Sequence, residues 1–292
     1  MSATAGATGS AAGPARSTGP VRLLRSVARS RIGALGLALS GVVVVLGLFG
    51  GALAPADPFV PTGAPLRPPG AGHLFGTDDL GRDILSGVLH GARVSLLVGA
   101  VTALMAAVVG TAVGATAGFY GGATDDLLMR VTEFVQVIPR FFLAVLVAAL
   151  FGPSIVFLVV LFGLTFWPGT ARLVRSQVLS LREREYIVAA RALGLRDRRV
   201  LARHVLPNVV AIVLVSGALQ VGAAILIEAS LSFLGLGDRT VISWGYMLNN
   251  AQPFLRSAPW LSIFPGIALV LAVLGTNLLA DGLQAARDRP RA

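Results

Sequence analysis

Apolar residues dominate six stretches of the chain, each about twenty residues long, at 32–53, 94–118, 128–150, 154–173, 209–231 and 261–280. A helix rises 1.5 Å per residue, so about 20 residues cross the ~30 Å hydrocarbon core of a bilayer. Inside that core no water satisfies an exposed backbone, and a helix supplies its own hydrogen bonds. The pattern therefore predicts an all-α, polytopic membrane protein with six transmembrane helices. An even number of spans returns both termini to one face. The polar intervals divide the chain into a tail at 1–31, a first span at 32–54, a loop with an interfacial helix at 55–93, a five-helix core at 94–285 and a second tail at 286–292. Within the core, 174–208 is a polar loop between the fourth and fifth spans.

Composition supports a bilayer as the solvent: 55% of residues are hydrophobic, 13% are charged, and the mean hydropathy is +0.79. The formal charge of +10 could suggest nucleic acid, but its placement argues against that. Every basic side chain is Arg, and most lie in the first tail (Arg16, Arg22, Arg25, Arg29, Arg31), in 172–203 and at Arg287, Arg289 and Arg291. These positions flank apolar runs and share one face, which the positive-inside rule makes cytoplasmic. Cysteine is absent, which excludes thiolate metal sites and disulfides. Lysine is absent too, so the chain holds no standard Walker A loop, whose Lys reaches the nucleotide phosphates.

Several local features carry expectations. The first apolar stretch ends in Ala52-Leu53-Ala54 and competes as a signal peptide, but it exceeds the 7–15 residues of a signal core. Residues 1–20, rich in Ala, Gly, Ser and Thr, are expected to be a disordered tail. Gly110, Gly114 and Gly118 recur on one helix face and predict close helix packing. Pro139 and Pro168 lie within spans and are expected to kink them. Thr77 or Asp78 is a good N-cap for an interfacial helix at 79–90. Asp78, Asp79 and Asp83 beside Arg82 lack the further groups that an acid–base site requires. Glu228 falls inside a span, where ionisable groups are costly, and is a candidate for the outer end of a translocation path or for a structural hydrogen bond.

The 174–208 loop holds Glu185-Tyr186-Ile187-Val188-Ala189-Ala190-Arg191-Ala192-Leu193-Gly194 and, later, His204-Val205-Leu206-Pro207-Asn208. The first run reads as a short helix with little side-chain bulk at Ala189 and Ala190. Gly194 suits the left-handed residue that ends such a helix, with Leu195 supplying the accompanying apolar contact. A second amphipathic helix at 196–205 follows. On spacing alone, the loop also fits a basic segment lying on anionic headgroups.

The Ala pair, the Gly four residues on, and Leu206-Pro207 resemble the EAA loop of binding-protein-dependent ABC importer permeases. Val188 and His204 replace that family's usual Glu and Ile, whereas Glu185-Tyr186 and Arg203 through Asn208 fit its peptide-permease variant. Phe75-Gly76-Thr77-Asp78-Asp79-Leu80-Gly81-Arg82-Asp83 is similar to the signature of the C-type permease in the dipeptide, oligopeptide and nickel branch. Further resemblance lies in Gly118-Phe119-Tyr120-Gly121-Gly122, in 228–237 with 243–248, and in 277–283, where Ala280 and Gln284 replace a frequent Gly and Arg. The resemblance runs from about residue 20 to the end.

It implies a type I ABC importer permease fold in the bacterial plasma membrane, with both termini cytoplasmic. The implied partners are a paralogous permease, two cytoplasmic ATPases that hold ATP-Mg, and an extracytoplasmic binding protein. The implied ATPase-coupling residues are Glu185, Tyr186, Ala189, Ala190, Arg191, Gly194, Leu206 and Pro207. This chain is expected to bind no cofactor or metal and no nucleic acid. Peptides are the expected cargo, with nickel or another small solute as the rival. An intramembrane enzyme lacks its motifs here, and a self-sufficient secondary transporter would show inverted repeats and charges near mid-span, neither of which stands out.

Overall fold

Ser30 opens the first helix by accepting a hydrogen bond from the Gly33 amide at 3.0 Å, the usual service of an N-cap hydroxyl. In the computed structural model, which describes residues 25–288, that helix (α1) spans Arg31–Leu53. It is followed by α2, Ile84–Tyr120; α3, Gly122–Val137; α4, Arg140–Phe151; and α5, Ile155–Arg182. Then come α6, Glu185–Ala192; α7, Asp197–Val200; a π turn, Leu201–Val205; α8, Leu206–Phe233; α9, Trp244–Ala251; and α10, Trp260–Asp288. Five helices are long and apolar enough to cross a membrane, and α3 with α4, bent at the break between them, passes the same test as a pair. No strand occurs among the described residues. The disordered tail expected at 1–20, and Arg289 and Arg291, lie outside them.

Three expectations change. The third span is two helices meeting at 68°, because Pro139 lacks the N–H that would continue the ladder and biases Ile138 to an extended conformation. Pro168, by contrast, sits inside an unbroken α5. The interfacial helix expected at 79–90 is the first part of α2, a single helix of 37 residues. Its N-cap is Asp83, whose carboxylate accepts from the Ser86 amide and hydroxyl at 2.8 Å each. Thr77 and Asp78 serve the preceding loop instead: Thr77 Oγ1 donates to Ala64 O at 2.7 Å, and Asp78 pairs with Arg82. Finally, the helix expected at 196–205 runs through the π turn into α8 without interruption.

Small residues set the helix spacing. On α2, a methyl group at Gly110 would lie 2.8 Å from Trp167 O, and one at Gly118 would lie 2.9 Å from Arg175 O, so α2 and α5 meet backbone to backbone. A second seam joins α1 to α10, where Gly36 faces the Leu278–Leu279 peptide and Gly33 faces Gly282. The bundle has two ends. One gathers the starts of α1, α3 and α8, the finishes of α2, α5 and α10, and all of α6. There Asp125 pairs with Arg175 at 2.6 Å, and Arg287 reaches Gln177. The opposite end holds the 54–83 connection and α9, tied down by Trp260 Nε1 to Thr77 O and Trp244 Nε1 to Val88 O. Both described chain ends thus lie at the α6 end.

Candidate functional site

Helix α6 is short, and its position depends on its ends and its inner face. Its C-terminus closes in a Schellman arrangement: Gly194 adopts φ +79°, its amide donates to Arg191 O at 2.9 Å, and the Leu195 amide donates to Ala190 O at 3.2 Å. The inner face places Ile187, fully buried, and Ala190 in one cluster with Phe119 of α2, Val174 and Val178 of α5, Val205 of the π turn and Val209 of α8. These elements therefore share one apolar knot, and α6 cannot shift without disturbing the ends of three long helices.

The expected coupling residues divide between two roles. Ala190 points inward, so only Ala189 of the alanine pair is exposed. Ala189 stands on an outward face with Val188, Ala192 and Leu193; Leu193 is 82% exposed. Glu185 is exposed in the first turn, where its charge complements the helix dipole. Tyr186 is half-buried against the apolar knot. Arg191 is exposed but lies along the bundle: its guanidinium is 4.4 Å from the Phe119 ring centre, and its Nε is 3.4 Å from the exposed Asp197. Leu206 packs on the same knot, while Pro207 is exposed in the first turn of α8. The π turn just before Pro207 gives its ring room against the preceding carbonyls, and Asn208 Nδ2 donates to His204 O at 2.6 Å.

Glu228 lies elsewhere, near the opposite end of α8. Only 2% of it is exposed, and Oε1 accepts from the Ser232 hydroxyl at 2.7 Å. Ser95 of α2 and Ser243 before α9 line the same carboxyl. The side chain is sealed inside this subunit and borders none of the described cavities. α2 and the Ser243 segment close over it in this subunit, and Gly245 lets that segment approach the α8 backbone. Near Arg82, Asp78 pairs with that guanidinium and the capping Asp83 has His73 Nδ1 at 3.0 Å.

Sequence reasoning passed over Arg140. It stands at the break between α3 and α4, with Nε donating to Thr165 O at 3.0 Å and the cation 4.6 Å from the Phe166 ring centre. It is a charge inside the apolar run 128–150, which did not stand out in the sequence. The signal was present: an Arg one residue after a proline, inside an apolar run. Among the described residues, no cluster of His, Asp and Glu could hold a metal ion.

With this geometry in place, comparison with known proteins is specific. The family described as binding-protein-dependent transport system inner membrane component matches residues 110–290, from mid-α2 through α10. The chain is 42% identical over 224 residues to the dipeptide transport system permease protein DppC of Alkalihalophilus pseudofirmus, covering 76% of this chain and 74% of that protein. It is 37% identical over 262 residues to DppC of Bacillus subtilis, covering 86% and 81%. Similarity to the oligopeptide transport system permease protein OppC of Haemophilus influenzae is 41% over 217 residues, or 74% and 70% of the two chains. A multi-pass bundle with these matches belongs to the family of binding-protein-dependent transport system inner membrane components.

Proposed function

We propose that this chain is the membrane-spanning permease subunit of an ATP-driven importer of di- or oligopeptides, and that α6 is its coupling helix. In this reading a paralogous permease completes the translocation path, two ATPases bind ATP-Mg at the α6 end, and a binding protein delivers peptide at the opposite end. The α6 end is then cytoplasmic, in agreement with its Arg content, and the bacterial plasma membrane is the site of action. The observation that carries the reading is the two-faced character of α6. Its outer face offers Val188, Ala189, Ala192 and Leu193 to a partner, and its inner face is locked to α2, α5 and α8. A partner that binds this helix differently in its open and closed states shifts the bundle between conformations, as alternating access requires. The names of the relatives support peptides as the cargo.

Two exposed positions test the coupling role without touching the knot. Leu193→Asp places a charge, and Ala189→Trp a bulk, on the face offered to the ATPases. Each variant is expected to insert in the membrane at wild-type level and to lose co-purifying ATPase and peptide uptake. Undiminished ATPase recovery with both variants would remove α6 from the coupling role. Uptake of radiolabelled trialanine by the intact transporter tests the cargo.

A further inference from the structure

Arg140 uses little of its hydrogen-bonding capacity. A guanidinium carries five N–H donors, and here one of them, Nε–H, is bonded, to Thr165 O. Among the described residues no carboxylate lies within ion-pairing distance of it. Its depth follows from helix geometry. Thr165 is ten residues into α5 from Ile155 and eight short of Leu173, where the apolar run ends. At 1.5 Å per residue these are about 15 Å and about 12 Å, near the middle of a ~30 Å core. The surroundings are uncovered in this subunit: Phe134 is 72%, Val137 80% and Phe142 70% exposed around the 68° break. A permanent cation facing lipid tails at that depth is costly, so this face meets a wet passage or another protein.

We infer that Arg140 lies on the translocation path and engages the terminal carboxylate of a peptide in transit. The inference rests on the peptide-importer reading and extends it to a substrate-contacting residue. The free Nη fork matches a carboxylate in a planar, two-point contact. Every linear peptide carries that group whatever its side chains, so one cation serves a cargo of varied sequence. A single such contact is also weak enough to release what it binds, as conduction requires. Toward the α6 end, the same helix pair α3 and α5 borders a cavity of about 460 Å³ lined by Arg130, Arg172 and Arg175 together with Asp126 and Glu133. Its arginines and carboxylates nearly balance, and Arg175 is already paired with Asp125, so it extends a polar surface beyond Arg140 without adding a cationic one.

The test uses the complete transporter, with its second permease, ATPases and binding protein, in proteoliposomes. Phe142, whose exposed ring adjoins the break, is replaced by p-benzoylphenylalanine and illuminated during ATP-driven uptake of radiolabelled trialanine. Label is expected on this subunit with Arg140 present, reduced about tenfold or more in Arg140→Gln and to an intermediate level in Arg140→Lys, which keeps the charge but loses the two-point contact. Uptake should follow the same order at equal yield of assembled complex. Undiminished peptide label in Arg140→Gln overturns the inference, as does crosslinking to lipid alone or to the second permease alone. Failure of Arg140→Gln and Arg140→Lys to assemble assigns the cation to subunit pairing and overturns it as well. If the unmodified transporter does not take up trialanine, the cargo reading fails first, before Arg140 is in question.

Discussion

Gly110→Ala is the sharpest probe of the α2–α5 seam. A methyl group there would lie 2.6 Å from Thr170 Cβ, 2.8 Å from Trp167 O and 3.0 Å from Ala171 N, against ordinary contact at 3.4 Å or more. Relief requires opening the seam by roughly 0.6–0.8 Å, enough to forfeit a quarter to a half of each affected dispersion contact. The neighbours cannot rotate away. Two of the three atoms are backbone, and the buried Thr170 is held by a hydroxyl that lies 2.9 Å from the buried Ser216 Oγ and accepts from Gln220 Nε2 at 2.6 Å. Overpacking of this kind costs about 1–3 kcal/mol, while the helix preference of Ala over Gly returns up to about 1 kcal/mol. With the full helix-preference gain the expected net is a loss of about 0–2 kcal/mol, and the variant falls below a Gly→Ala change that meets no neighbour. Gly169→Ala is the control, because a methyl there meets nothing within 4 Å and should leave stability unchanged or raised. Thermal unfolding of the purified protein in detergent, followed by circular dichroism, reads both. If Gly110→Ala melts at or above Gly169→Ala, the seam is not limited by backbone contact and the reasoning is wrong.

Glu228→Gln keeps an acceptor for the Ser232 hydroxyl and is expected to leave folding and peptide uptake near wild type, whereas Glu228→Ala leaves that hydroxyl buried and unpaired at a cost of about 1–3 kcal/mol. Melting temperature and uptake measured on both variants check this; a transport defect in Glu228→Gln at normal stability would give the carboxyl a role beyond structure. Asp238, in the loop after α8, titrates below its ordinary range: burial works to raise it, and bonds from the Thr240 hydroxyl and amide and from the Ile155 amide outweigh that. A folded-state pKa lower than the unfolded one adds stability that is present above the unfolded value and is lost as pH falls through the folded one. Stability should therefore drop on acidification below about pH 4, and Asp238→Asn should flatten that part of the melting-temperature profile, with no flattening as the adverse result.

The membrane-crossing pattern was legible because it depends on composition alone, and the seams were legible at Gly110, Gly114 and Gly118 because their four-residue spacing puts them on one face. Helix boundaries followed less well where two residues compete for one cap. Thr77, Asp78 and Asp83 are all good N-caps in isolation, and the choice is made by loop contacts from Ala64, Arg67 and Arg82 that no local pattern contains. The break at Pro139 was readable as a kink, but its 68° was not, since a proline's bend depends on what the neighbouring helices allow. Pro168 makes the contrast: buried and flanked by Trp167 and Ala171 at the α2 seam, it is contained within a continuous helix.

For the site, the alanine pair shows where reading by spacing stops. Successive residues on a helix are about 100° apart, so spacing leaves open whether one or both of Ala189 and Ala190 face a partner; here Ala189 is exposed and Ala190 buried. Which of them turns inward was decided by Ile187, whose side chain must be buried and which shares a face with Ala190 three residues on. That argument needed only the knowledge that α6 lies against its own bundle, which spacing does not supply. Arg140 escaped for the opposite reason: average apolarity over 128–150 conceals one charge, although a charge in such a run is the more informative residue. A cation at that depth needs water, an anion or a protein partner beyond the one carbonyl and ring it has here, so its unsatisfied donors point to a passage or an interface on this face, whereas Glu228 is buried and hydrogen-bonded within the subunit.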